Sequence, residues 1–240
     1  MGLQLQNTAH SVNIKERLDF SCALFDAAGN LIANAPHMPV HLGSMGESIR
    51  TVIRENAATM QPGDVYVLND PYHGGTHLPD VTVITPVYLD ADPAAASATT
   101  AGAPRALFYV GSRGHHADIG GTTPGSMPPF SHDIEQEGVR IQNFKLVDRG
   151  VLREAEILAL LAGQGAGGAA EPPPGRPKAA SVGARYPSRN PHQNLADLKA
   201  QIAANEKGVQ ELRRMVAQYG LSVVQAYMGH VQDNAEESVR

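Results

Sequence analysis

Two short loops hold most of the residues in this sequence whose types and spacing suit a metal ion. The first loop, residues 69–80, carries two histidines and two aspartates around a Gly-Gly turn, and the second, residues 114–121, offers His115, His116 and Asp118. Each loop follows an apolar segment that predicts a strand, and neighbouring strand ends in one sheet would bring the loops together. Imidazole and carboxylate groups together suit zinc, manganese or iron(II), and three such ligands leave positions open for water or substrate.

We predict that His77, Asp80 and His115 are the metal ligands. His116 and Asp118 are then predicted either to support those ligands or to act as acid and base on the bound water. The residues alone leave an alternative, in which all five are turn and capping residues, because Asp and His are common in tight loops.

Asp70 and His41 are the predicted substrate-binding residues. His37 and His41 flank a proline and can face the same cavity as the two loops, although an ordinary core or surface histidine is the alternative for both. Asp70 precedes a proline and is, in the alternative reading, an ordinary turn starter. Cys22 lies within an apolar strand, where a thiol is usually an inert small hydrophobe, and a nucleophilic role is its alternative.

The elements around these loops predict a mixed α+β fold, with a strand-rich N-terminal core followed by long C-terminal helices. A helix is predicted over 44–59, with Ser44 and Glu47 as a capping box. Strand signals, separated by Gly- and Pro-containing turns, occur at 19–26, 31–34, 65–70, 81–90 and 106–116.

The end of the chain predicts two helices. From Leu195 to Tyr219 apolar residues recur in alternating steps of three and four, with Asn205 in the one gap. Asn190 is the predicted N-cap and Gly220 the predicted C-cap of this helix, and a second helix is predicted from about Ser222. The sequence stops within a helical stretch, so we expect the natural protein to continue.

These patterns predict three regions along the chain. A mixed α/β core with the metal site is expected over 1–162, an Ala/Gly/Pro-rich loop over 163–185 and a helical segment over 186–240. A second Ala/Pro-rich stretch lies at 90–105. Both low-complexity stretches lack large apolar side chains to bury, so we expect 93–103 and 165–182 to be exposed and mobile.

Composition excludes some classes of partner. The formal net charge of −5 and the pI near 6.0 give no basic patch for a nucleic-acid backbone. A single cysteine cannot form an internal disulfide, and no apolar stretch of about 18 residues is present to span a bilayer. We therefore expect a cytoplasmic protein that binds neither nucleic acid nor membranes.

Several long segments of the chain carry a resemblance to a known family. They are NIKERLDFSCALFD, HMPVHLGSMGESI, NDPYHGGTHLPDVT, GHHADIGGTTPGSMPPFS, EGVRIQNFKLV, YPSRNPHQNLADLKAQIAANEKGV and AYMGHVQDNAEESVR. In this order they resemble the N-terminal half of the B component of the hydantoinase/5-oxoprolinase family. The resemblance implies an enzyme divided between an A component, which binds ATP in an actin-like kinase fold, and this B component. In the carboxylase branch of the family a His-x-x-Asp pair and a later histidine hold the metal, and these match His77, Asp80 and His115.

The resemblance also implies a reaction. We expect the partner to phosphorylate the lactam oxygen of a small cyclic amide such as 5-oxoproline, and this chain to complete the hydrolysis with metal-activated water, within a hetero-oligomer. One alternative is the alpha-type subunit of an ATP-dependent ketone carboxylase. A second alternative is an inactive fragment with an assembly role, because the chain is shorter than the family's B component.

Overall fold

A seven-stranded antiparallel sheet forms the centre of the fold. The computed structural model describes residues 1–36, 38–41, 43–89, 105–164 and 184–240. Across the sheet the strands follow the order β2-β1-β5-β4-β3-β6-β7, and every neighbouring pair is antiparallel. The strands are β1 Phe20–Asp26, β2 Leu31–Pro36, β3 Val65–Leu68, β4 Asp80–Val87, β5 Phe108–His115, β6 Phe144–Asp148 and β7 Val151–Leu152.

Helices cover both faces of this sheet. They are α1 Gly2–Thr8, α2 Val12–Lys15, α3 Met45–Asn56, α4 Glu154–Leu161, α5 Pro191–Tyr219 and α6 Leu221–Val239, with 3-10 turns at Pro39–His41 and Ile134–Gln136. The predicted α+β class is therefore confirmed, and β1 to β5 occur where the sequence predicts strands. The sequence prediction missed β6, β7 and the short helices α1, α2 and α4.

Helix α3 covers one face of the sheet. Side chains alternate between the two faces of a strand, so Asp80, Thr82 and Ile84 of β4 share this face. Between α3 and the sheet lies a core of apolar residues from α3 and from three strands: Ala23, Phe25, Met45, Ile49, Val52, Tyr66, Leu68 and Ile84. The polar end of this face, beyond the apolar core, is where Asp80 lies.

Helix α5 crosses the opposite face. Leu195 and Leu198 of α5 share a buried core with Val81 and Val83 of β4. The predicted start of this helix is confirmed, because the Asn190 side chain accepts a hydrogen bond from the Gln193 N–H at 3.2 Å. Its predicted end is also confirmed, since Gly220, with φ of 83°, separates α5 from α6.

The predicted capping box of α3 is wrong. Ser44 is the N-cap residue, but its side chain makes no capping hydrogen bond. Its hydroxyl donates instead to the His41 carbonyl oxygen and accepts a hydrogen bond from Arg113. Glu47 forms ion pairs with arginines one turn and two turns further along the helix. Tertiary contacts of Ser44 thus replace the local cap.

The predicted loops at 93–103 and 165–182 lie outside the described residues, as does His37. The division into regions 1–162, 163–185 and 186–240 stays a prediction. Within the described part of the chain, no helix is both long enough and apolar enough to cross a membrane.

Candidate metal centre

Strands β4 and β5 place Asp80 and His115 side by side. Asp80 is the first residue of β4 and His115 the last of β5, and the antiparallel register makes them direct partners. His77 lies one tight turn before β4, where the Asp80 N–H donates to the His77 carbonyl oxygen at 3.0 Å. Two paired strand ends and one turn therefore converge on the Asp80 carboxylate.

The three predicted ligands lie within a few ångströms of one another. His77 Nδ1 is 3.1 Å from Asp80 Oδ2, and His115 Nδ1 is 3.2 Å from Asp80 Oδ1. One ligand atom from each residue lies within 4.8 Å of the other two. Two imidazoles and a carboxylate are a donor set that suits zinc, manganese or iron(II). The residues present therefore fit a divalent transition ion.

The electrostatics of the cluster keep Asp80 ionised. Burial alone would raise the pKa of the Asp80 carboxyl, but hydrogen bonds from His115, His41 and His77 outweigh burial and hold the pKa well below its ordinary value. The side chain of Asp80 is 5% exposed, whereas that of His77 is 38% exposed. The carboxylate therefore lies at the base of the cluster, and the cluster opens to solvent beside His77.

His41 also belongs to this cluster. Its ring is buried, with Nε2 3.3 Å from Asp80 Oδ2 and Nδ1 3.1 Å from Ser21 Oγ. The Thr76 hydroxyl donates to the same Asp80 oxygen at 3.1 Å. His41 thus faces the same site as the two loops. Its predicted role in binding substrate stays a prediction.

Arg113 is a functional candidate that the sequence prediction missed. The side chain is fully buried, and its guanidinium donates to the hydroxyls of Thr82, Ser44 and Ser48. Burial lowers the pKa of Arg113 to about 10, while the charge of Asp80 opposes this shift. The guanidinium is therefore still charged at neutral pH. A charged residue inside the apolar strand segment FYVGSRGH was the signal available in the sequence.

Comparison with known proteins identifies the family. The family model described as hydantoinase B/oxoprolinase matches residues 1–240. The chain belongs to this family.

Relatives within the hydantoinase B/oxoprolinase family are much longer proteins. The chain is 48% identical to 5-oxoprolinase 1 of Arabidopsis thaliana and 43% identical to 5-oxoprolinase of Saccharomyces cerevisiae, in each case over 100% of the chain and 17% of the relative. Among solved structures, an ATP-dependent caprolactamase from Pseudomonas jessenii has a TM-score of 0.75 and 28% identity. That match covers 98% of this chain and 34% of the caprolactamase chain. The chain thus spans about a sixth of the two 5-oxoprolinases.

His116 lies on the other face of the sheet from the candidate ligands. It follows His115 directly, and its ring contacts α5 through Gln201 Oε1 at 3.1 Å and Asn194 Nδ2 at 3.1 Å. Burial lowers the pKa of His116. Both ring nitrogens are thus engaged by buried amides. A role for His116 in proton transfer stays a prediction.

Asp118 organises the loop that follows β5. Its carboxylate accepts hydrogen bonds from the N–H groups of Gly120 and Gly125 and forms an ion pair with Arg189 at 2.8 Å. These contacts join the glycine-rich loop to the start of α5. The predicted acid/base role of Asp118 stays a prediction.

Asp70 is fully buried and organises the first loop. Its carboxylate accepts hydrogen bonds from the Tyr72 N–H at 3.0 Å and from Gln142 Nε2 at 2.8 Å, and it lies 3.0 Å from His73 Nδ1. The structure therefore gives the Asp70 carboxylate several protein partners, and its predicted contact with substrate stays a prediction. Cys22 is buried, and burial raises the pKa of its thiol to about 12, which favours the predicted inert thiol over the alternative of a nucleophile.

Proposed function

We propose that this chain is the B component of an ATP-dependent cyclic amide hydrolase of the 5-oxoprolinase or N-methylhydantoinase type. The observation that carries the proposal is the convergence of His77, Asp80 and His115 in a chain that is 48% identical to a 5-oxoprolinase. An ATP-dependent caprolactamase of similar fold, whose name also denotes action on a cyclic amide, supports the substrate class.

The proposal assigns ATP to a separate component. A five-membered lactam is stable towards water, so its opening needs prior activation, which phosphorylation of the lactam oxygen supplies. The sequence of this chain contains no Walker A motif. We therefore propose that a hydantoinase A-type partner binds ATP and activates the ring, and that the two components form a hetero-oligomer.

The residues of this chain then complete the reaction. A divalent ion bound here would act as a Lewis acid on water and on an oxygen of the activated ring. His77, Asp80 and His115 would hold that ion, and the activated ring would approach from the solvent-exposed side of His77. His116 and Asp118 remain the proposed carriers of the proton that the departing ring nitrogen requires. Asp70 remains the proposed contact with substrate, while the buried ring of His41, also predicted to bind substrate, is proposed to act through Asp80.

Replacement of one candidate ligand tests the proposal. With the A component, ATP and 5-oxoproline present, His77→Ala is expected to lower the metal content and to slow glutamate release. Because loss of an outer partner of a ligand costs about 10–100-fold, loss of a ligand itself should slow release by about 100-fold or more. His132→Ala, which changes an exposed histidine outside the cluster, is the matched control. Elemental analysis and glutamate release are measured on the same preparations.

Two results would contradict the proposal. Full activity of the wild-type pair without stoichiometric transition metal would remove the metal from the proposal. An unchanged rate for His77→Ala, with metal still bound, would place the ion elsewhere.

A further inference from the structure

His41 reaches the metal centre from an element that carries none of the three candidate ligands. It ends the 3-10 turn Pro39–His41, between β2 and α3, whereas the ligands belong to β4, β5 and the turn before β4. Its ring is 2% exposed and lies with Nε2 3.3 Å from Asp80 Oδ2. His41 is thus a buried histidine that comes from a separate segment of the chain and directs one ring nitrogen at a candidate ligand, which suggests a role at the metal centre in addition to packing.

The ring of His41 is fixed on both sides. Nδ1 lies 3.1 Å from Ser21 Oγ on β1, so the two ring nitrogens connect two different strands of the sheet. The carbonyl oxygen of His41 accepts a hydrogen bond from the Ser44 hydroxyl, and Ser44 in turn accepts one from the buried Arg113. Rotation of the ring would break contacts with both strands. The His41 ring is therefore a rigid support and not a mobile side chain.

Asp80 has its two carboxylate oxygens in different surroundings. Oδ2 faces His41 Nε2 and the Thr76 hydroxyl, in addition to His77, whereas Oδ1 faces His115. His41 does not belong to the group of residues whose ligand atoms lie within 4.8 Å of one another. Its contact is thus with the carboxylate and not with the position that the three ligands share.

We propose that His41 is a positioning residue of the metal centre, whose Nε2–H donates to Asp80 Oδ2 and fixes the rotation of the carboxylate. The inference rests on the proposed function, because it assumes that Asp80 is a ligand. Oδ2 faces His41, Thr76 and His77, whereas Oδ1 faces His115, so Oδ1 is the less crowded of the two carboxylate oxygens. Two imidazoles beside one carboxylate favour zinc, manganese or iron(II) over calcium, which takes six to eight oxygen ligands.

The test is metal affinity of the full chain, stripped of metal by chelation and titrated with Zn²⁺ and Co²⁺. Hydrogen-bond partners of ligating groups are typically worth 10–100-fold in metal affinity. His41→Ala is therefore expected to weaken binding by about 10–100-fold, with one ion still bound per chain. His41→Gln places an amide N–H near the position of Nε2 and should recover most of the affinity. The visible spectrum of bound Co²⁺ should shift in the alanine variant and return towards wild type in the glutamine variant.

A second variant covers the case in which loss of the buried ring prevents folding. Ser21→Ala leaves His41 in place and removes its Nδ1 contact, so it should weaken Zn²⁺ binding several-fold. His132→Ala, at an exposed position, should bind Zn²⁺ like the wild type.

Three results would overturn the inference. If His41→Ala binds Zn²⁺ as tightly as the wild type, His41 does not position Asp80. If His41→Ala and His41→Gln both lose the ion as His77→Ala does, His41 is a ligand. If the wild-type chain binds neither ion, the metal centre of the proposed function fails together with this inference, whereas the first two results leave that centre intact.

Discussion

His115 and His116 are consecutive residues with different surroundings, because side chains at the end of a strand alternate between the faces of the sheet. The His115 ring contacts Asp80 on the face of the sheet that α3 covers, while the His116 ring contacts Gln201 of α5 on the opposite face. The amide of Gln201 is oriented by its own donors, which reach the carbonyl oxygens of Val81 and Ser112. Its oxygen is therefore left to accept from His116 Nε2–H. This network holds His116 as one neutral tautomer.

A stability measurement distinguishes this structural role from the predicted proton transfer. His116→Ala leaves the Gln201 oxygen buried without its partner, so we expect the free energy of unfolding to fall by about 1–3 kcal/mol. Chemical denaturation of wild type and variant gives this difference. A variant of unchanged stability that nevertheless loses glutamate release with the A component would instead favour a catalytic His116.

Asp64 is a buried carboxylate that contacts Lys145 of β6 and lies outside the metal centre. Burial raises the pKa of Asp64, but hydrogen bonds from Lys145 and from the N–H groups of Arg149 and Gln61 outweigh burial and leave the pKa below its ordinary value. A lowered pKa in the folded state means that the ionised form stabilises the fold. This contribution is present above the ordinary pKa and is lost as the pH falls through the folded-state pKa.

Asp64→Asn should therefore change both stability and its dependence on pH. At pH 7 the variant loses a hydrogen bond between charged groups, and we expect a loss of about 1.5–3 kcal/mol. The difference from wild type should shrink as the pH falls below about 4, because Asp64 of the unfolded chain then binds a proton while the folded carboxylate stays ionised until its lowered pKa is passed. Thermal unfolding from pH 7 to pH 3 measures this trend. Asp233→Asn, at an exposed position of α6, should show neither effect.

At the scale of elements, the sequence predicted correctly those features that depend on interactions between residues close together in the chain. The caps at Asn190 and Gly220 depend on backbone groups a few residues away, and both are where the sequence placed them. Strand alternation and the two His/Asp loops likewise indicated that His77, Asp80 and His115 would meet at neighbouring strand ends. These features need only short-range patterns and one rule of sheet topology.

Other elements depend on contacts between distant segments, and the sequence pattern did not reveal them. The sequence around Ser44 predicts a capping side chain, but the Ser44 hydroxyl instead accepts a hydrogen bond from Arg113, 69 residues further along the chain. Strand β6 pairs with β3 through a shifted register, and β7 has only two residues. Neither strand therefore shows a clear alternation of apolar and polar residues in the sequence. The buried polar residues of α5 interrupt its apolar pattern because they bind strand carbonyl groups, as Asn205 binds Val83 O at 3.0 Å.

The docking of α5 onto the sheet gives an element-scale prediction. Gln201 connects α5 to β4, to β5 and to His116, so Gln201→Leu leaves a buried N–H of His116 unpaired. We expect a loss of about 1–3 kcal/mol of unfolding free energy. Gln210→Leu makes the same change at an exposed position of the same helix and should stay within about 0.5 kcal/mol of wild type. Equal losses for both variants would mean that the buried amide contributes no specific contact.

At the scale of the whole molecule, the chain corresponds to only part of the length of its relatives. It spans 17% of the 5-oxoprolinases and 34% of the caprolactamase chain, and its sequence has no Walker A motif. Activation of a lactam by ATP and attack on the activated ring are separate chemical steps. The proposed division between an A-type component and this chain therefore requires that the two steps can be separated experimentally.

The last prediction concerns that separation. Purified alone, the chain is expected to bind a divalent metal but to hydrolyse no ATP and to release no glutamate from 5-oxoproline. Addition of the A component and ATP should give glutamate release without bicarbonate, because hydrolysis needs only water. With His77→Ala in the mixture, ATP should still bind the A component while ring opening is slow. A product that forms only from a ketone and bicarbonate would instead identify the carboxylase alternative, since carboxylation consumes bicarbonate and ring opening does not.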